Sequence, residues 1–107
     1  PEQDQNCMLN NKKWECGKKS SIFLSKLIEN KNIICNIKDI DKYKRLIAVC
    51  FLDSLNINKF IVKSGWAIAY RYYSMDYVDD EEIAKKNKLG IWSSKFDEPY
   101  IHRKKSK

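Results

Sequence analysis

The residues best able to do chemistry in this chain are four cysteines, Cys7, Cys16, Cys35 and Cys50, and an arginine, Arg45, in a polar cluster. Cysteines either pair as disulfides or hold zinc as thiolates. An arginine offers a planar fork of donors that matches two oxygens of a phosphate, a geometry lysine lacks. Taken alone, an arginine in a turn is ordinarily an exposed cation, because surfaces are full of them.

Cys35, Cys50 and Arg45 lie in ICNIKDIDKYKRLIAVCF, residues 34–51. Both halves are rich in Ile, Val and Phe around the polar residues 38–45, which predicts two strands and a turn. Setting Cys35 opposite Cys50 places Ile37 opposite Ala48, Asn36 opposite Val49 and Lys38 opposite Ile47. The turn is then centred between Lys42 and Tyr43. Opposed antiparallel residues have Cα atoms about 4.5–5.5 Å apart, within disulfide range. With that pair assigned, Cys7 is left to Cys16. Zinc fits poorly, since the cysteines are 9, 19 and 15 residues apart, with no Cys-x-x-Cys pair and only the distant His102. Four reduced cysteines packed as small core residues are the other alternative.

Around the hairpin, KKSSIFLSKLIEN (18–30) sets Phe23 with Leu27 and Leu24 with Ile28, predicting a helix with one buried face. SLNINKFIVKSG (54–65) predicts a short helix capped by Asn56 and stopped by Gly65. WAIAYRYY (66–73) has strand composition. The last helix is expected over 79–89, with acidic residues at its start, lysines toward its end and Gly90 as its stop. Repeats and low-complexity segments are absent, and 93–107 reads as an irregular basic tail.

At 107 residues the chain is one domain of modest core. Its net charge is +7, and Arg103, Lys104, Lys105 and Lys107 supply four of those charges. Charge is therefore a weak argument for nucleic acid, because a short basic tail is usually solvated. No apolar run is long enough to span a bilayer and no signal segment opens the chain, so no membrane partner is expected. The chain begins on Pro-Glu rather than Met, so it is expected to belong to a longer protein. Paired cysteines point to an oxidising compartment, with any signal peptide encoded upstream.

Several stretches together resemble the staphylococcal nuclease-like, or thermonuclease, family: PEQDQNC, CGKKSSIFLSKLI, DKYKRLIAVC, LNINKFIVKSGWAIAYRYYSMDY and EEIAKKNKLGIW, covering residues 1–92. The paired cysteines resemble those of secreted bacterial members, which implies a secreted or periplasmic protein. The resemblance implies an α+β fold, an OB-type five-stranded barrel with helices packed on it, here incomplete at the N-terminus. It also implies calcium-assisted phosphodiester cleavage of DNA and RNA. By position, Glu2 matches the glutamate that activates water, and Arg45 the arginine that stabilises phosphate charge. Tyr70 and Tyr72 match tyrosines that contact the nucleotide. Lys63 and Arg71 are candidate backbone contacts, and Lys18 and Lys19 are weaker ones.

The family's first three strands, its second catalytic arginine and its calcium ligands would lie before Pro1, so this chain alone is expected to hold no metal and to be impaired as a nuclease. Lys44 stands where the family has glycine; a positive φ there would cost about 1 kcal/mol. A half barrel also exposes an edge that favours a strand-exchanged homodimer. The alternative readings are a non-catalytic OB module that binds nucleic acid or protein, and a disulfide-stapled scaffold.

Overall fold

The computed structural model describes residues 1–69 and 75–105. The expected strand contacts of Tyr70, Arg71, Tyr72 and Tyr73 fall outside the described residues. The fold is α+β, with two antiparallel sheets that do not close into a barrel among the described residues. Strands β1 (Cys7–Leu9) and β2 (Lys12–Trp14) form a hairpin that the sequence reading missed. Asn10 and Asn11 form its two-residue loop at φ 52° and 64°, a region asparagine tolerates better than most residues. Met8 and Lys95 exchange backbone hydrogen bonds of 2.7 Å, tying this hairpin to the C-terminal region.

Helix α1 (Cys16–Ile28) starts two residues before the expected point, because a disulfide between Cys7 and Cys16, Cα–Cα 5.6 Å, anchors its first residue in the interior. Its expected inner face is half-buried. Phe23 stacks on Phe60 at 6.0 Å and lies 5.9 Å from Trp66.

Strands β3 (Ile34–Ile40) and β4 (Leu46–Leu52) form the expected hairpin, with Cys35 opposite Cys50 and bonded to it. The register departs from expectation at one place. Lys38 is bulged and Ile47 faces Asp39, so the loop centres on Tyr43. The cause lies in the loop itself: Lys44 takes φ 65°, closing a three-residue connection between Asp41 and Arg45, and the bulge absorbs the residue this leaves over. A two-residue β5 (Leu55–Asn56) completes the sheet. All seven residues of β3 are exposed, including Ile34, Ile37 and Ile40. Among the described residues β3 pairs with β4 alone.

Helix α2 (Ile57–Lys63) has the expected cap: Asn56 Oδ1 accepts from the Lys59 N–H at 3.0 Å. Its end is a Schellman closure, Trp66 N–H to Ile61 O and Gly65 N–H to Val62 O, with Gly65 at φ 83°. Asn58 fastens the helix to β4. Its Oδ1 accepts from Cys50 N–H at 2.9 Å and its Nδ2 donates to Ala48 O at 3.0 Å, imitating a neighbouring strand. The strand expected over 66–73 is not formed in its described part. The Ala69 N–H donates to the Glu81 carboxylate at 3.0 Å instead of to a strand partner.

Helix α3 (Val78–Lys86) ends earlier than expected. Lys88 at φ 52°, with Leu89 N–H on Ala84 O and Lys88 N–H on Lys85 O, makes the Schellman stop that Gly90 was expected to supply. Gly90 opens a 3-10 turn (Gly90–Ser93) packed so closely on Gly65 that a Cβ on either residue would lie 2.2 Å from a backbone oxygen. The segment expected to be irregular holds a further helix, α4 (Pro99–Lys105), with proline at its first position and cations in its last turn. The core centres on Cys7, Cys16 and Ile91, all fully buried, ringed by Trp14, Trp66, Ile68, Trp92 and Phe96. No helix among the described residues is long and apolar enough to cross a membrane.

Candidate functional site

Glu2 sits in a tight turn that packs directly on α1. The Gln5 N–H donates to Glu2 O at 3.0 Å, the Glu2 N–H donates to Gln5 Oε1 at 3.1 Å, and the Gly17 N–H donates to Gln5 O at 3.0 Å. A Cβ at position 17 would lie 1.9 Å from Glu2 O, so only glycine lets the turn come this close. The Glu2 carboxylate is 32% exposed and accepts from the Arg103 guanidinium of α4. Beside it, Asp4 pairs with His102 at 3.0 Å. Gln5, 2% exposed, also donates from Nε2 to Asp97 O, so a buried amide joins the Glu2 turn to the segment leading into α4.

Arg45 is held by a different element. Asp41 Oδ1 accepts from the Tyr43 N–H at 2.8 Å and the Arg45 N–H at 2.9 Å, and its Oδ2 accepts from Arg45 Nε at 2.7 Å. The hydrogen bond from the Arg45 backbone N–H, followed by those from the Arg45 side chain and the Tyr43 backbone, holds the Asp41 carboxyl below the usual aspartate range. Its side chain is 6% exposed, covered by its own loop, while Arg45 is 66% exposed. Lys42 and Arg45 both lie against the Tyr43 ring, at 5.2 and 5.3 Å. The loop thus presents a guanidinium to solvent on a side chain fixed at Nε.

Glu2 and Arg45 are both placed by exact backbone hydrogen bonding, yet among the described residues no ion pair or hydrogen bond joins them. Lys63 is exposed in the last turn of α2. Lys18 pairs loosely with Glu15 at 3.7 Å. Lys18 also lines a shallow cleft of about 510 Å³ on the flank of α1, with Gln3, Ser21, Ser25 and Lys26. Tyr70, Arg71 and Tyr72 lie outside the described residues. A carboxylate and a fixed guanidinium can respectively take a proton from water and hold a phosphate oxygen. Among the described residues no three His, Cys, Asp or Glu side chains gather to hold a metal ion, so these residues by themselves do not fit the calcium that the resemblance brings with it.

Sequence reasoning missed Gly17, Asp41, Gln5 and Arg103. Asp41 carried a signal, an aspartate opening a turn, where its carboxylate bonds backbone two residues on. The Arg103 contact spans 101 residues of sequence and carried none.

The model of the family described as staphylococcal nuclease homologue matches residues 1–94. A protein of Haemophilus influenzae named an uncharacterized endonuclease is 39% identical over 79 residues, 72% of this chain and 44% of the relative. The micrococcal nuclease of Shigella flexneri is 32% identical over 84 residues, 65% of this chain and 48% of its own length. Endonuclease YncB of Bacillus subtilis is 41% identical over 59 residues, half of this chain and 28% of the relative. The chain spans about half the length of the first two of these relatives. With a match running from Pro1 through the core residues Ile91 and Trp92, the chain belongs to the staphylococcal nuclease family.

Proposed function

We propose that the intact protein hydrolyses phosphodiester bonds of DNA or RNA, with Glu2 and Arg45 as its catalytic residues in this chain. Glu2 takes the proton of the attacking water, and Arg45 neutralises charge that gathers on the phosphate oxygens as the bond to water forms. The observation that carries this reading is the fixing of Glu2 by the turn packed on Gly17. A freely moving terminal glutamate would need no such cradle. Asp41 supports Arg45 in the same way, by anchoring its Nε.

Tyr70 and Tyr72 are assigned to the nucleotide, where aromatic stacking contributes about 1–3 kcal/mol per base. Lys63 and Arg71 are assigned to the phosphate backbone. Calcium dependence is part of the proposal, and its ligands and the second arginine are assigned to sequence before Pro1. The exposed edge of β3 favours the same assignment, since further strands placed there would cover Ile34, Ile37 and Ile40. Without such strands, exchange between two copies is the expected outcome, and sedimentation would detect it. Two disulfides support an exported, secreted or periplasmic protein.

The test is cleavage of single-stranded DNA by the intact protein. Calcium should stimulate it, chelation should stop it, and Glu2→Gln and Arg45→Ala should each lower the rate by about 10²-fold or more. Tight binding of the oligonucleotide without cleavage would replace this reading with that of a non-catalytic binding module.

A further inference from the structure

The basic C-terminal helix is not a free tail. Arg103 donates to Glu2, His102 meets Asp4 at 3.0 Å and Lys105 pairs with Asp97 at 2.8 Å, while the buried Gln5 links the Glu2 turn to Asp97. The family match ends at residue 94, before this helix begins. The arrangement places a guanidinium on an oxygen of the carboxylate assigned to water activation. A base whose oxygen is occupied by a fixed cation is hindered from taking a proton, so the contact belongs to the free protein rather than to the reacting complex.

We propose that Arg103 is a phosphate ligand that exchanges partners, pairing with Glu2 in the free protein and with a phosphate of bound nucleic acid in the complex, which leaves the Glu2 carboxylate free. This rests on the reading that nucleic acid approaches Glu2. Exposure decides that the exchange is easy. Arg103 is 45% exposed and Glu2 32%. A pair this open is weakly held, whereas breaking a buried pair would leave a charge desolvated and unpaired. A phosphate offers the same guanidinium a charge-assisted pair of hydrogen bonds, so the replacement matches what is lost. Lys104, whose ammonium lies 5.8 Å from the Tyr100 ring, stands next in sequence on the same helix.

The experiment is binding of a fluorescein-labelled eight-residue oligothymidylate to the intact protein in EDTA, read by anisotropy over a salt series. Arg103→Ala should weaken binding and reduce the slope of log affinity against log salt by about 0.7, the contribution of one phosphate contact on a single strand. Glu2→Gln should tighten binding by up to about fivefold, the weight of an open ion pair. That gain should vanish in the Arg103→Ala background. Arg103→Lys should retain the salt slope. If Arg103→Ala melts below the working temperature, Arg103→Gln serves in its place. Equal tightening by Glu2→Gln in both backgrounds, or an unchanged salt slope in Arg103→Ala, would overturn the exchange while leaving the nucleic-acid reading intact. Absence of any binding by the unaltered protein, both in EDTA and with calcium restored, overturns that reading and the exchange with it.

Discussion

Gly17→Ala tests whether the position of Glu2 is set by the surface of α1. The added Cβ would meet Glu2 O at 1.9 Å and Gln3 O at 2.9 Å. Both are backbone atoms, so no side chain can swing away. Restoring an ordinary contact requires the turn to move by more than about 1 Å. Overpacking of this kind costs about 1–3 kcal/mol, while alanine in place of glycine within a helix returns about 0.5–1 kcal/mol. The net effect is a destabilisation of about 1–2 kcal/mol, or roughly 5–10 °C in Tm for a domain of this size. The effect on rate is larger, because a misplacement of about 1 Å at a catalytic group is worth about 10²-fold. The assay is kcat/KM on single-stranded DNA at a temperature below both melting transitions, with Ser21→Ala as a control on the same helix. Full activity with a lowered Tm would refute the argument that Gly17 places Glu2. An unchanged Tm would refute the close contact itself.

Four further outcomes are expected. Lys44→Gly removes the strain of a non-glycine residue at φ 65° and should stabilise the protein by about 1 kcal/mol, read as a higher urea midpoint at unchanged slope. Because the Asp41 carboxyl is held below its ordinary value of about 3.9, its contribution to stability is complete above that pH and is lost as pH falls through the lower folded value. Protection of the Tyr43 and Arg45 amides, taken relative to the free-chain exchange rate at each pH, should therefore be full from about pH 5 upward and lost in stronger acid, and Asp41→Asn should remove this acid-dependent step. Asn58→Ala leaves the Cys50 N–H and Ala48 C=O without their partner and should cost about 2–3 kcal/mol in a denaturant melt, with Asn58→Asp falling between the two. Replacing Cys7 and Cys16 together by alanine should cost about 2–4 kcal/mol and, since Cys16 adjoins Gly17, should disturb amide signals of residues 2–5 more than those of the 41–45 loop.

Most of the fold's local signals were legible in the sequence. Alternating Ile and Val around a polar cluster gave the hairpin and its disulfide, and helical spacing with Asn56 and Gly65 gave α2 with both of its ends. The errors share a cause: each lies where a local preference was overruled by a distant partner or by a non-glycine residue in the left-handed region. Lys44 and Lys88 adopt positive φ where glycine would have announced the turn, which shifted the hairpin register by a residue and ended α3 early. The strand composition of 66–69 was overruled by the Glu81 carboxylate, which takes the Ala69 N–H from an element twelve residues away. Helix α4 was missed because its side-chain contacts with Glu2 and Asp4 come from the opposite end of the chain.

The same distinction runs through the candidate site. The Arg45 half carries local bonding: Asp41, Tyr43, Lys44 and Arg45 are one hairpin loop, and three bonds run to one carboxylate. An aspartate at the head of the loop is a local signal for it, although the sequence reading passed over Asp41. The Glu2 half is assembled from the start, the first helix and the end of the chain, through Gly17, Gln5 and Arg103. None of these residue types is informative alone, since a glycine, a glutamine and an arginine acquire meaning only from what packs against them. The two halves therefore depend on different parts of the fold. The Asp41–Arg45 contact comes with the β3–β4 hairpin. The carboxylate is fixed only when α1, the Cys7–Cys16 bridge and the Gln5 link to Asp97 are all in place. Perturbations that loosen the core should therefore be felt at the Glu2 carboxylate before they are felt at Arg45.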